Sequence, residues 1–284
     1  MRKITPSTIQ QHAAAALAED VGTGDATTEA LIDASQTGSA RIVAREPVTV
    51  AGLNLARAVF RQLDAKADFE KICEDGTAIH SGGTVLKIHA HLRALLTGER
   101  TALNYLQRMS GIATQAAHYA EAVHDTGATI LDTRKTTPDW RALEKYAVQC
   151  GGAQNHRFGL DDAVLIKDNH LASLPRDRSL AELVQQARAA APGLKIEVEA
   201  ETVEQAVATA EAGADIVLLD NMSVDEIQKA VKEIDGRAQT EASGGITLVN
   251  VRAIAETGVN YISSGRITQS PPPADIGMDV RLES

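Results

Sequence analysis

A chain of 284 residues, 44% hydrophobic, 23% charged and 3% aromatic, carries apolar material for one large or two modest cores and lacks the bias of a disordered or fibrous protein. Its 28 basic and 38 acidic side chains leave a formal charge of −10, which disfavours nonspecific nucleic-acid binding and obliges any anionic ligand to be met by a local cluster of cations. Cys73 and Cys150 stand apart without Cys-x-x-Cys or Cys/His spacing, and no run approaches the roughly 18–20 apolar residues of a membrane helix. These features exclude a disulfide framework, a zinc finger and a helical membrane anchor, and lead us to expect a cytoplasmic protein.

At the N-terminus Arg2 and Lys3 precede an apolar stretch at 13–18 that Glu19 and Asp20 cut short, too brief and polar for a secretory signal. Thr5-Pro6-Ser7 reads as a helix entry, 10–19 as the helix, and Val21-Gly22-Thr23-Gly24-Asp25 as its end. Strands are predicted at 40–45, 47–51 and, after the Ser81-Gly82-Gly83 turn, 84–90. Between them 53–63 has helical spacing, with Leu55, Val59 and Leu63 on one stripe. Leu95, Leu96, Leu103 and Leu106 space a long helix over 92–107, and Gly111 is read as a break before a second helix through Val123, the pair bridging two domains.

Beyond Gly127 six β-rich runs, at 128–135, 163–168, 195–200, 216–221, 239–245 and 260–265, alternate with helical patterns at 180–190, 203–212, 224–234 and 249–257. Such alternation predicts parallel β/α units. Polar residues end nearly every run and no Gly-x-Gly-x-x-Gly follows the first, so barrel-like closure is favoured over an open doubly wound sheet, though six strands fall short of the usual eight. The division expected is an N-terminal α/β domain over 1–110 and a barrel over 111–270, with the tail 271–284 leaving through Pro271-Pro272-Pro273 and returning to the first domain.

The ends of the runs form a chemically coherent set: Thr133-Arg134-Lys135, Lys167, Glu199, Asp220, Ser243-Gly244-Gly245 and Ser264-Gly265, with His156 and Arg157 just ahead of the second run. In a parallel barrel these converge on one mouth. Each has an ordinary explanation: a solvated loop for the Arg-Lys segment, a barrel ion pair for either acid, a simple turn for the glycines. Coincidence of all of them is much harder to arrange. Arg, Lys and His gathered against an acidic background suit a small, highly charged anion. Each ion pair at 4 Å gains about 4 kcal/mol of Coulomb energy near a protein surface, before desolvation. Glycines where a strand meets a helix let backbone amides approach a phosphate, and two acids in an anion site suit either a divalent ion such as Mg²⁺ carried with a phosphorylated ligand, or ribose hydroxyls or a developing positive charge.

These residues, in this order, resemble the quinolinate phosphoribosyltransferase family over almost the whole chain. The resemblance is carried by Ala18-Glu19-Asp20, Gly24-Asp25-Ala26-Thr27-Thr28, 96–104, Asp132-Thr133-Arg134-Lys135-Thr136, Gly152 with Asn155-His156-Arg157, Ile166-Lys167-Asp168-Asn169-His170, Glu197-Val198-Glu199, Leu219-Asp220-Asn221 and Glu241-Ala242-Ser243-Gly244-Gly245. It implies an N-terminal α/β sandwich, an incomplete six-stranded parallel β/α barrel, and a homodimer in which Arg100 serves the neighbouring subunit's site. The implied reaction joins quinolinate to 5-phosphoribosyl-1-pyrophosphate with loss of carbon dioxide, yielding nicotinate mononucleotide and pyrophosphate with Mg²⁺, a step of NAD biosynthesis.

By the same resemblance Arg100, Arg134, His156 and Arg157 hold the quinolinate carboxylates, and Thr133, Lys135 and Lys167 face the anionic groups. Glu199 and Asp220 sit by the ribose and its metal, the contact being mainly indirect, while Lys135, Glu199 and Asp220 form the catalytic set. Ser243, Gly244, Gly245, Ser264 and Gly265 line the 5′-phosphate pocket. Arg266 is either a further phosphate contact or directed outward. Two other readings stand beside this one: a barrel lyase forming a Schiff base on Lys167, and a non-catalytic, anion-binding, molybdenum-transport-associated homologue.

Overall fold

The structure, a computed structural model, describes residues 4–173 and 178–282; Arg2, Lys3 and the last two residues of the tail lie outside the described residues. In chain order the first elements are α1 (Pro6–Val21), α2 (Ala26–Leu31), β1 (Thr37–Ala44), β2 (Val48–Thr49), α3 (Leu53–Leu63), β3 (Asp68–Glu70), β4 (Ala78–Ile79), β5 (Thr84–His91) and α4 (Leu92–Ala122). The alternating part follows as β6 (Thr129–Leu131), α5 (Arg141–Cys150), β7 (Val164–Ile166), α6 (Asp168–Ala172), α7 (Leu180–Ala190), β8 (Ile196–Ala200), α8 (Val203–Glu211) and β9 (Ile216–Asp220). It closes with α9 (Val224–Ile234), β10 (Gln239–Ser243), α10 (Val251–Ala255), β11 (Tyr261–Ser263), α11 (Arg266–Gln269) and β12 (Ile276–Leu282). Two compact units result among the described residues: one holds His118–Arg141 and Ala153–Ser270, the other Ile4–Ala117, Ala142–Gly152 and Pro271–Leu282.

Short-range chemistry explains most of the boundaries. Thr5 caps α1 by accepting from the Thr8 amide, Pro6 occupies the first turn, and Gly22 at φ 57° ends it. Ser179 and Ser223 form capping boxes with Glu182 and Glu226, which start α7 and α9 at the expected residues. The unit containing the N-terminal part has a four-stranded sheet, β12-β1-β5-β3, antiparallel throughout. Its apolar interior includes Ile42 from β1, Leu86 and Ile88 from β5, and Leu55, Val59 and Phe60 from α3, and the sheet with its helices makes an α/β sandwich. The tail becomes β12 beside β1, a strand that the sequence pattern did not reveal.

One expectation about the helices is overturned. Gly111 does not break the chain into two helices; α4 runs unbroken through it. Glycine stands there because a Cβ would run into the Pro272 carbonyl, so the position answers a close approach of backbone and not a turn.

In the other unit all six expected strands are present and parallel, in the order β6-β11-β10-β9-β8-β7. The barrel is incomplete: β6 and β7 are the ends of the sheet. Beside β6 the chain at Gln154 makes a single parallel bridge to Leu131, its amide donating to the Ile130 carbonyl at 2.9 Å. The strands are shorter than their sequence runs because the polar ends leave the sheet. Thr133-Arg134-Lys135 continues β6 as a loop, and β10 stops at Ser243 because Gly244 and Gly245 take φ 88° and 64°. Outside the sheet Val184 of α7 packs with Ile196, Val198 and Ala214.

Candidate active site

The residues that leave the strand ends surround one cavity of about 1080 Å³. Thr133, Arg134, Lys135, His156, Arg157, Lys167, Glu199, Asp220, Ser243, Gly244, Gly245, Ser264 and Gly265 all line it, and so does Arg266. Arg100 does not; it is exposed on α4, in the other unit.

The cations are held in place by backbone. Thr133 Oγ1 accepts from the Lys135 amide at 3.0 Å, and the Lys135 carbonyl accepts from Thr268 Oγ1 at 2.8 Å. The Lys135 stem crosses Gly265 so closely that a Cβ on Gly265 would meet Lys135 Cδ at 2.7 Å. Arg157 donates to the Ala163 carbonyl at 3.0 Å, and its pKa is lowered by burial and by the neighbouring Arg134 charge. Arg134 Nε is buried with no hydrogen bond to a described residue. Two guanidiniums that repel one another, one with an unsatisfied donor, are relieved by an anion that bonds both.

Lys167 and Glu199 form an ion pair at the end of β7 and β8. The Lys167 amine is thus engaged by a carboxylate, unlike the desolvated amine that Schiff-base chemistry uses. Asp220 Oδ2 accepts from Asn221 Nδ2 at 2.8 Å, and Asn221, itself left-handed at φ 57°, donates its amide to the Ser243 carbonyl at 2.9 Å. A Cβ on Gly244 would collide with Asn221, so the acid and the glycine turn are built against each other. The glycines do not open a helix as expected, since a turn at 246–250, with Thr247 donating to Asn250 Oδ1 at 2.8 Å, intervenes before α10.

Sequence reasoning gave no role to Asp132, Glu197 or Glu241, all at least 98% buried. Asp132 accepts from the His156 amide at 2.9 Å and from Asn155 Nδ2 at 2.7 Å. His156 Nε2 lies 3.2 Å from Glu197 Oε2 and 3.5 Å from Glu241 Oε1, while Nδ1 accepts from the Arg157 amide at 2.7 Å. Burial opposes charge on this imidazole, but the hydrogen bond to Glu197 and the charges of both acids outweigh it, raising its pKa to about 10. Glu197 is raised too, by its burial above all. A proton is therefore retained across the Nε2–carboxylate contact, because Nδ1 is already an acceptor. The signal for these acids was the period of two along a strand, which puts Glu197 on the face of Glu199 and Glu241 on that of Ser243.

The ligand atoms of His156, Glu197 and Glu241 lie within 4.8 Å of one another, the one such grouping among the described residues. Glu199 and Asp220 offer a different environment: two carboxylates among cations, one of them paired with Lys167, which suits an ion brought by a phosphorylated ligand better than an ion bound alone.

Comparison with known proteins agrees with this architecture. The family model for the quinolinate phosphoribosyl transferase N-terminal domain matches residues 25–110, and that for its C-terminal domain matches residues 112–279. The chain is 43% identical over 267 residues, 94% of its length and 91% of the relative's, to a probable nicotinate-nucleotide pyrophosphorylase [carboxylating] of Bacillus subtilis. It is 38% identical to quinolinate phosphoribosyltransferase [decarboxylating] 1b of Nicotiana tabacum, over 94% of this chain and 81% of that one. The crystal structure of NadC from Streptococcus pyogenes superposes with a TM-score of 0.94 at 40% identity, covering 100% of both chains. With both domain models and full-length relatives matched, the chain belongs to the quinolinate phosphoribosyltransferase family.

Proposed function

We propose that the protein is a pentosyltransferase that transfers the 5-phosphoribosyl group of 5-phosphoribosyl-1-pyrophosphate to the ring nitrogen of quinolinate and releases pyrophosphate and carbon dioxide, forming nicotinate mononucleotide for NAD biosynthesis. The observation that carries this reading is the gathering of Arg134, Lys135, Arg157 and Lys167 with Glu199 and Asp220 around one cavity. A dicarboxylate and a pyrophosphate repel each other in water. Cations that hold both in reacting geometry supply much of the catalysis by placement alone.

Arg134 and Arg157 suit the two carboxylates, as planar donors for planar acceptors. Lys135 and Lys167 face the phosphates, and the left-handed turn at Gly244-Gly245 with Ser243, Ser264 and Gly265 suits the 5′-phosphate. As the bond from C1 to pyrophosphate breaks, positive charge grows on the ribose, which Glu199 and Asp220 stabilise, and negative charge grows on the leaving group. Mg²⁺ bound with the pyrophosphate, close to the same acids, would neutralise the leaving group. Quaternising the pyridine nitrogen makes the ring an electron sink, so the adjacent carboxylate leaves as carbon dioxide, its bonding electron pair stays on the ring carbon beside the positive nitrogen, and that carbon then takes up a proton from solvent.

The proposal includes a homodimer in which Arg100 completes the neighbouring cavity, consistent with its exposure on α4 and its absence from the lining of the cavity in its own chain. It also includes a cytoplasmic location, which the free thiols of Cys73 and Cys150 suit. No described helix is long and apolar enough to cross a membrane. The test is turnover by purified protein with both substrates, with and without Mg²⁺. One carbon dioxide and one pyrophosphate per nicotinate mononucleotide are expected, dependent on the metal. Ligand binding without turnover would assign the chain to the non-catalytic homologues instead.

A further inference from the structure

Barrel interiors are ordinarily filled by branched apolar side chains. Here Glu197 and Glu241 occupy that interior, 2% and 1% exposed. Glu197 Oε1 and both oxygens of Glu241 have no hydrogen-bond partner among the described residues. Burying a carboxylate costs several kcal/mol unless it is compensated, so the placement calls for an explanation beyond packing.

What the acids face is a segment without regular structure of its own. Asn155-His156-Arg157 lies outside every helix and strand, yet side chains hold it from several strands. Asp132, just past β6, takes the His156 amide and the Asn155 side chain at 2.9 and 2.7 Å. Glu197 of β8 and Glu241 of β10 face His156 Nε2 at 3.2 and 3.5 Å. The ring's other nitrogen accepts the Arg157 amide at 2.7 Å, and the Arg157 guanidinium reaches the Ala163 carbonyl at 3.0 Å beside the cavity.

We propose that Glu197 and Glu241 are positioning residues that act through His156 on Arg157: they hold the imidazole at Nε2 so that Nδ1 fixes the Arg157 backbone and thereby aims its guanidinium at the dicarboxylate. With both ring nitrogens engaged by protein, His156 orients Arg157 instead of donating to the substrate itself. This rests on the reading of the cavity as a quinolinate site, and adds to it how one of its guanidiniums is held.

The experiment pairs calorimetric binding of quinolinate with steady-state kinetics for both substrates and a thermal melt. Glu197→Ala removes the acceptor at Nε2; Glu197→Gln keeps one in its place. Misplacement of a binding group by about an ångström costs up to ~100-fold, so Glu197→Ala is expected to weaken quinolinate binding and raise its KM by ~10-fold or more. The KM for 5-phosphoribosyl-1-pyrophosphate should stay within ~2-fold, and Glu197→Gln should recover quinolinate binding to within ~3-fold of wild type. Should Glu197→Ala not fold, Glu197→Asp, which withdraws the carboxylate by one methylene, must show the same selective rise. Equal loss toward both substrates, or unchanged quinolinate binding in a wild type that binds it, overturns this proposal alone. A wild type that binds no quinolinate overturns the functional reading as well. One metal ion per chain that survives chelation in the wild type and is missing from Glu197→Gln would give the triad to a metal and refute the positioning role.

Discussion

His156 sits where burial and two acids pull on one proton in opposite directions, and the acids win. The consequence for stability follows from linkage. A group whose pKa rises from 6.5 in the unfolded chain to about 10 in the fold contributes stability that is fully present below 6.5 and is lost as the pH climbs through 10. Thermal melts of wild type and His156→Asn across pH 6 to 10, recorded side by side, should therefore converge toward the alkaline end. A gap between the two curves that stays constant over this range would contradict the assignment. At this scale the sequence displayed the exposed end of each strand and hid the buried partner. Lys167 and Glu199 announce themselves as polar residues near the ends of their runs, whereas Glu197 lies between the buried Ile196 and Val198, Glu241 lies between the buried Thr240 and Ala242, and Asp132 reads as part of a loop. Only the neighbours of such acids show what they hold.

Between residue and molecule, the elements were legible wherever the apolar period was long or the caps were strong. α7 and α9 start one residue after Ser179 and Ser223, whose capping boxes can be read directly from Ser-x-x-Glu. Elements without such signals, namely α5, β3 and β12, depend on what they pack against, and α2, though capped by Asp25, is only six residues long. The error at Gly111 has the same origin, since a glycine demanded by close backbone approach looks in sequence like one that ends a helix. Its substitution separates two effects of opposite sign. Helix propensity alone favours Gly111→Ala by about 1 kcal/mol. The new Cβ, however, would strike the Pro272 carbonyl and approach the Ala274 amide, which donates to the Gln107 carbonyl at 2.9 Å and leads the tail into β12. Overpacking of this kind typically costs about 1–3 kcal/mol, and the obstacle here is backbone, which yields least. A Tm lowered by several degrees is expected, at about 2–4 °C per kcal/mol for a chain of this class. A Tm equal to or above that of wild type would show that the tail moves aside freely.

For the whole molecule, a net charge of −10 coexists with a cavity rich in arginine and lysine, so its anion-binding character is a local arrangement within an acidic surface. The proposed sharing of Arg100 belongs to this scale. Arg100→Ala and Lys135→Ala proteins, each expected to lose most activity, should regain up to about a quarter of wild-type activity per site when mixed and allowed to exchange subunits. This follows because random pairing leaves half of the chains in mixed dimers, and each such dimer restores one of its two cavities. No recovery after verified exchange would place Arg100 outside the partner's cavity. By itself the sequence determined the alternation of strand and helix, the number of barrel strands and the polar residues at their ends, because period, capping and turn chemistry are local. Only the tertiary structure decided that β6 and β7 are the two ends of the barrel sheet, that α4 continues through Gly111, and that two buried acids face His156, because each depends on contacts between residues far apart in the chain.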